Sequence, residues 1–176
     1  MFSTRFDRSN QQVILVSSSK NGAGILGHPG EGSLIAPYRP GEPIILAGGT
    51  YHVSEPIVLR NSALFGNGSE LRWVGKDAGP MIRMEGASTV ADIVVTDAGP
   101  DGELTKLPNF NPKVIAIEVV DRADCRAICT IRNVNTGFYS FPMTFLSVRH
   151  ESDPTLNCTN LNMSDVYGWT WGEGIR

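Results

Sequence analysis

The chain has 176 residues, enough for one domain of ordinary size, and 41% of them are hydrophobic, so a continuous core is expected. The formal net charge is −3, with 11 arginines and 4 lysines. Proteins that bind nucleic acids or anionic membranes need a basic face, so this balance argues against both classes. No apolar run reaches the length of a membrane span and residues 1–10 lack a signal-peptide core, so we expect neither membrane insertion nor secretion.

Residues 1–40 are predicted to form an extended N-terminal arm. The segment from Asn21 to Pro40 is rich in Gly and Pro, which favour turns and extended backbone over helix. Its apolar pieces, Ile25 and Leu34–Ile35, are short, as is Val13–Val16 before it. An arm of this kind can lace onto a neighbouring subunit, so we predict contacts with other proteins through residues 1–40.

No cofactor or metal site is predicted. Gly22–Gly27 has the form G-x-G-x-x-G, but His28-Pro29-Gly30 follows it, where a dinucleotide site needs a helix. Cys125, Cys129 and Cys158 fit no metal-binding spacing, and the three histidines are scattered. We interpret the cysteines as small buried hydrophobic residues.

The rest of the chain, residues 41–176, is predicted to form one all-β domain. Helix periodicity is almost absent, and short stretches rich in Val and Ile are bounded by Gly, Pro, Asn or Asp. Over the whole chain, including Val13–Val16 of the arm, the predicted strands are Val13–Val16, Pro43–Leu46, Tyr51–Val53, Pro56–Leu59, Ala63–Phe65, Leu71–Val74, Met81–Met84, Val90–Val95, Val114–Val120, Ala127–Val134, Thr144–Val148 and Leu161–Val166.

Two sets of these strands repeat along the chain. In the first set, Ile93–Ala98, Cys129–Val134 and Leu161–Val166 match at offsets of 36 and 32 residues. This alignment places Cys129 inside, between Ile93 and Leu161. It also places Asp97, Asn133 and Asp165 at one bend, since Asp and Asn tolerate left-handed backbone.

The second set matches Ile57–Arg60, Ile82–Glu85, Ile115–Glu118 and Leu146–Arg149. Repeats at a fixed period indicate stacked turns of chain. Two ladders that recur together favour a short right-handed parallel β-helix, with about five rungs, over a β-sandwich.

The segment Pro43–Leu59, followed by Leu64–Ser69, resembles the opening rungs of pectate-lyase-like β-helix proteins. Many bacteriophage tailspikes and polysaccharide depolymerases belong to that group. The resemblance is one of pattern and extends from about Gly41 to Gly168. It implies a virion protein of the tailspike or tail-fibre type, located in the virion, with a host polysaccharide as a further partner.

Glu85 and Glu118 are the candidate catalytic residues. If the second ladder is in register, they project from adjacent rungs, about 5 Å apart, as the two carboxylates of a retaining glycosidase do. The alternative is a charge-compensated ladder, because the same column begins with Arg60 and ends with Arg149. We favour the ladder and predict no catalytic residue.

Five aromatic residues near predicted turns are the candidate binding or interface residues: Phe138, Tyr139, Phe141, Trp169 and Trp171. A short stack has two open ends that need covering, and a homotrimer is the natural solution. We interpret these side chains as subunit contacts or end caps, although aromatic faces also stack on sugar rings.

Three functions follow from this sequence. The favoured one is a trimeric β-helix module of a bacteriophage virion, in a tail spike or fibre or as a capsid decoration, for assembly or host attachment. The second is an enzyme that cleaves host capsule or envelope polysaccharide with Glu85 and Glu118. The third is a cellular scaffold that polymerises end to end.

Overall fold

A computed structural model describes residues 6–8, 11–16, 23–26, 43–46, 49–53, 55–74, 79–97, 114–121, 128–136, 144–150, 160–168 and 174–175. Within these ranges every regular element is a β-strand, which confirms the all-β prediction. The thirteen strands are β1 (Phe6–Arg8), β2 (Gln11–Val16), β3 (Ala23–Leu26), β4 (Ile44–Leu46), β5 (Thr50–Val53), β6 (Ile57–Arg60), β7 (Ala63–Trp73), β8 (Gly79–Glu85), β9 (Thr89–Asp97), β10 (Val114–Asp121), β11 (Ile128–Thr136), β12 (Thr144–His150) and β13 (Asn160–Tyr167). These ranges contain no helix of the length and apolar character that would cross a membrane.

The strands form two sheets. The major sheet has the order β1-β2-β4-β7-β9-β11-β13, and β3 and β5 join it beside β7. The minor sheet has the order β12-β10-β8-β6. From β6 to β13 successive strands alternate between the two sheets, and every pairing among them is parallel. The antiparallel pair β1–β2 lies at one edge of the major sheet.

The first predicted ladder is correct for one pair of strands and wrong for the other. Between β11 and β13, Cys129 lies opposite Leu161 and Val134 opposite Val166, as the alignment predicted. Between β9 and β11, however, Ile93 lies opposite Val134 and not opposite Cys129. Cys129 is buried as predicted, at 3% exposure, and its Sγ donates to the Gly86 carbonyl at 3.0 Å.

A column of left-handed residues bends the strands of the major sheet. Asn67, Asp92, Asn133 and Asp165 have φ angles of 50°, 58°, 49° and 53°. Asp92 therefore occupies the bend position that the sequence assigned to Asp97. The left-handed residue adds one position to the strand and so interrupts the alternation of inward and outward side chains. Inward-facing residues therefore follow the spacing i, i+2, i+5, as the buried residues 129, 131 and 134 do.

The core lies on the inner faces of the two sheets. Its largest fully buried side chains include Tyr51, Trp73, Leu59 and Met84. Gly66 marks a close approach of β7 to β9, because a Cβ atom there would lie 2.3 Å from the Asp92 carbonyl oxygen. The strands are thus held by backbone pairing and by a dense apolar interior.

Part of the predicted arm pairs with the major sheet. In β2, Ile14 lies opposite Ile44 of β4, and in β3, Ile25 lies opposite His52 of β5, both in parallel. These pieces extend the sheet by further strands. The division of the chain at residue 40 stays a prediction.

Candidate functional site

The two candidate glutamates lie on the outer face of the minor sheet, but not side by side. Arg60 lies opposite Glu85, as predicted, whereas Glu85 lies opposite Val120 and Glu118 lies opposite Arg83. The predicted alignment of β8 with β10 was therefore wrong by two residues. The alignment of β10 with β12 was wrong by the same amount, because Arg149 lies opposite Val120 and Glu118 lies opposite Ser147. A shift of two preserves the face on which each side chain lies, so both glutamates still point outward.

Five charged residues form a chain of contacts on this face, which we call the arginine–glutamate ladder. Arg60 Nε lies 2.7 Å from Glu85 Oε2, and Arg83 Nε lies 2.9 Å from Glu85 Oε1. The same Arg83 Nε lies 3.8 Å from Glu118 Oε2, and Arg149 Nε donates to Glu118 Oε1 at 2.7 Å. Charges along the ladder therefore alternate, with Arg83 between the two carboxylates.

The ladder is most buried at its carboxylates. Glu85 and Glu118 are 5% and 7% exposed. Val120 of β10, which lies opposite both Glu85 of β8 and Arg149 of β12, is 1% exposed. The arginine side chains are more open, at 53% for Arg60 and 29% for Arg83. Buried carboxylates need such partners, because an uncompensated charge at that depth is strongly destabilising.

This geometry does not suit acid–base catalysis on a glycosidic bond. A retaining glycosidase needs two carboxylates that face the same bond, one protonated and one free to attack. Here the Arg83 guanidinium lies between them. Each carboxylate also accepts a hydrogen bond from another arginine, Glu85 from Arg60 and Glu118 from Arg149. The arrangement instead holds neighbouring strands together by paired charges.

A second polar cluster, which the sequence reasoning missed, lies on the outer face of the major sheet. Glu70 accepts hydrogen bonds from Arg72 Nη2 at 2.9 Å, Thr96 Oγ1 at 3.0 Å and Thr50 Oγ1 at 3.3 Å. The outward positions of Thr50–Val53 and Glu70–Trp73 are all polar, which is the signal in the sequence that points to this cluster.

His52 lies beside this cluster, opposite Arg72 in the register of β5 with β7. Burial lowers the pKa of His52 below its ordinary value, Arg72 lowers it further, and Glu70 opposes the change. The imidazole Nε2 is buried and has no hydrogen-bond partner among the residues that the structure describes. His52 is therefore a neutral group at pH 7 on this face.

The other candidate positions differ in what the structure describes. Phe138, Tyr139, Phe141, Trp169 and Trp171 lie outside the described residues. Among the described side chains, no group of three or more His, Cys, Asp or Glu is placed to hold a metal ion.

Comparison of the chain with protein-family models, with curated proteins and with solved structures gives no match.

Proposed function

We propose that the chain winds as a short right-handed parallel β-helix of about five rungs and serves as a structural module of a bacteriophage virion. In this proposal the module is a homotrimer in a tail spike or fibre, or a capsid decoration, and acts in assembly or host attachment.

The alternation of strands between two parallel sheets supports the winding. A chain that passes from sheet to sheet and returns parallel to its previous strand advances by one turn each time. Ile175 forms an isolated parallel bridge with Leu146 of β12, so this pairing has the same direction as those within the minor sheet. Connections between parallel strands are right-handed in nearly all proteins, which supports the proposed handedness.

The observation that carries a structural role over an enzymatic one is the position of Arg83 between Glu85 and Glu118. The enzyme hypothesis requires Glu85 and Glu118 to act as a catalytic pair. In the observed register these two carboxylates instead alternate with three guanidiniums in the arginine–glutamate ladder. Such a ladder stabilises the stack, and among the described residues it pairs both candidate carboxylates with arginines. The resemblance of Pro43–Leu59 to pectate-lyase-like β-helix proteins, a group to which many phage tailspikes belong, supports the virion assignment.

Light scattering after size-exclusion chromatography tests the assembly. The proposal predicts an elongated particle of three times the 19.1 kDa chain mass. A compact monomer at micromolar concentration contradicts it.

Release of reducing ends from host capsule polysaccharide tests the absence of catalysis. We expect no release by the wild-type chain. Release that is lost in Glu118→Gln and retained in Glu55→Gln, an exposed carboxylate between β5 and β6, would instead establish the polysaccharide-cleaving enzyme.

A further inference from the structure

The last strand of the major sheet, β13, is open along one edge in the described part of the chain. It pairs there with β11 alone. Met163 is 38% exposed, whereas Ile131 directly opposite it is fully buried. Leu161 and Val166 are half-buried, whereas their partners Cys129 and Val134 are buried.

These half-exposed residues continue the interior columns of the sheet. Val90, Ile131 and Met163 occupy one column of the register, and Ile93, Val134 and Val166 occupy the next. A strand added on β13 would bury the last members of both columns if its own apolar residues followed the spacing i, i+2, i+5. The open edge therefore has a side-chain pattern that an added strand of matching spacing would complete.

The left-handed residues at the bend of the major sheet indicate which polar residue the added strand should carry there. Its members alternate between amide and carboxylate: Asn67, Asp92, Asn133 and Asp165. Asn133 Nδ2 donates to Asp92 Oδ1 at 3.0 Å, which shows how neighbouring members pair. The column ends on Asp165, an exposed acceptor, so the complementary next member is a donor.

We propose that β13 receives a further parallel strand from a different polypeptide, with apolar residues at i, i+2 and i+5 and an asparagine or basic residue at i+4. The strand must be parallel, because the left-handed bend at Asp165 stacks only on a strand that bends at the same point in the same direction. A second copy stacked end to end would present β1, which runs antiparallel to β2, and β3, which is parallel but has only four residues, too few for the spacing i, i+2, i+5. Neither strand meets this condition. The proposal does not depend on the virion assignment.

A peptide of residues 128–136 with Cys129→Val is the probe, because this segment has the required spacing and carries Asn133 at the bend. Binding of the labelled peptide to the full chain is measured by fluorescence anisotropy. A matched peptide that also carries Asn133→Asp places a carboxylate against Asp165. We expect the asparagine peptide to bind saturably and the aspartate peptide to bind roughly ten- to a hundredfold more weakly, the range for a hydrogen bond to a charged group.

Variants of the protein show whether the contact is with Asp165. In Asp165→Asn, which retains a residue that tolerates the left-handed bend, the preference for the asparagine peptide should disappear. In the control Glu55→Gln, which removes a charge between β5 and β6, the preference should remain.

Three results would overturn the proposal: no saturable binding of either peptide, equal binding of the two peptides to the wild-type chain, or a preference that survives in Asp165→Asn. End-to-end filaments of the purified chain in negative-stain micrographs would also overturn it, because a second copy would then occupy β13.

Discussion

Replacement of the central cation of the arginine–glutamate ladder should destabilise the chain more than replacement of the terminal one. Arg83→Met keeps an unbranched side chain of similar reach and removes the charge that lies 2.9 Å from Glu85 and 3.8 Å from Glu118. Arg60→Met is the matched control, because it removes one contact, at 2.7 Å, from a side chain that is 53% exposed.

The magnitude follows from burial. Exposed ion pairs contribute about 0.2–1 kcal/mol, whereas removal of one partner from a buried ion pair costs about 3–5 kcal/mol. Arg83 is partly exposed, but its ion-pair partner Glu85 is only 5% exposed. We therefore expect a loss between these two ranges for Arg83→Met, about 2 kcal/mol in the free energy of unfolding, and a loss of about 0.5 kcal/mol for the exposed Arg60 in Arg60→Met.

Equilibrium unfolding in urea, at one protein concentration and with unchanged m-values, measures both effects. A double-mutant cycle of Arg83→Met with Glu85→Gln should give a coupling energy of about 1 kcal/mol. Equal losses in the two arginine variants, or a coupling energy near zero, would refute the view that Arg83 holds the two carboxylates.

Two further perturbations test other parts of the structure. Gly66→Ala should destabilise the chain by about 2–3 kcal/mol in urea unfolding, because the new Cβ would lie 2.3 Å from the Asp92 carbonyl oxygen. The control Gly68→Ala, at a φ of +74° with open space around it, should destabilise the chain by only about 1 kcal/mol. A larger loss in Gly68→Ala than in Gly66→Ala would contradict the close approach of β7 to β9. The free energy of unfolding should fall as the pH falls below about 6.5, because the unfolded chain protonates His52 there while the lowered pKa keeps the folded imidazole neutral. This contribution is absent above that range and should vanish in His52→Gln, so an unchanged pH dependence in that variant would exclude His52 as its source.

The sequence was sufficient to predict the type of fold element and much of the stacking. Short Val- and Ile-rich stretches predicted strands, and the match of Cys129–Val134 with Leu161–Val166 predicted a correct register. The match of Ile57–Arg60 with Ile82–Glu85 was also correct.

The remaining registers were ambiguous for physical reasons. Strand β9 contains both Asp92 and Asp97, each followed by an apolar residue, so side-chain pattern alone does not show which adopts the left-handed bend. Strand β10 is apolar at nearly every position, so a shift of two residues keeps the same side chains facing inward. The shift places Glu118 opposite Arg83 and not opposite Glu85. The candidate site depended on that shift, and only the backbone pairing decides it.

The pairing of Ile93 tests the stacking of the chain most directly. The test uses a variant with Ile93→Cys and Val134→Cys that retains Cys129 and has Cys125 and Cys158 replaced by serine. On mild oxidation the thiol at position 93 can form a disulfide with position 134 or with Cys129. The register of β9 with β11 places positions 93 and 134 opposite each other, within the reach of a disulfide. Peptide mapping by mass spectrometry should find the 93–134 link, whereas a 93–129 link would show that the strands stack in a different register and that the ladder built on this structure is wrong.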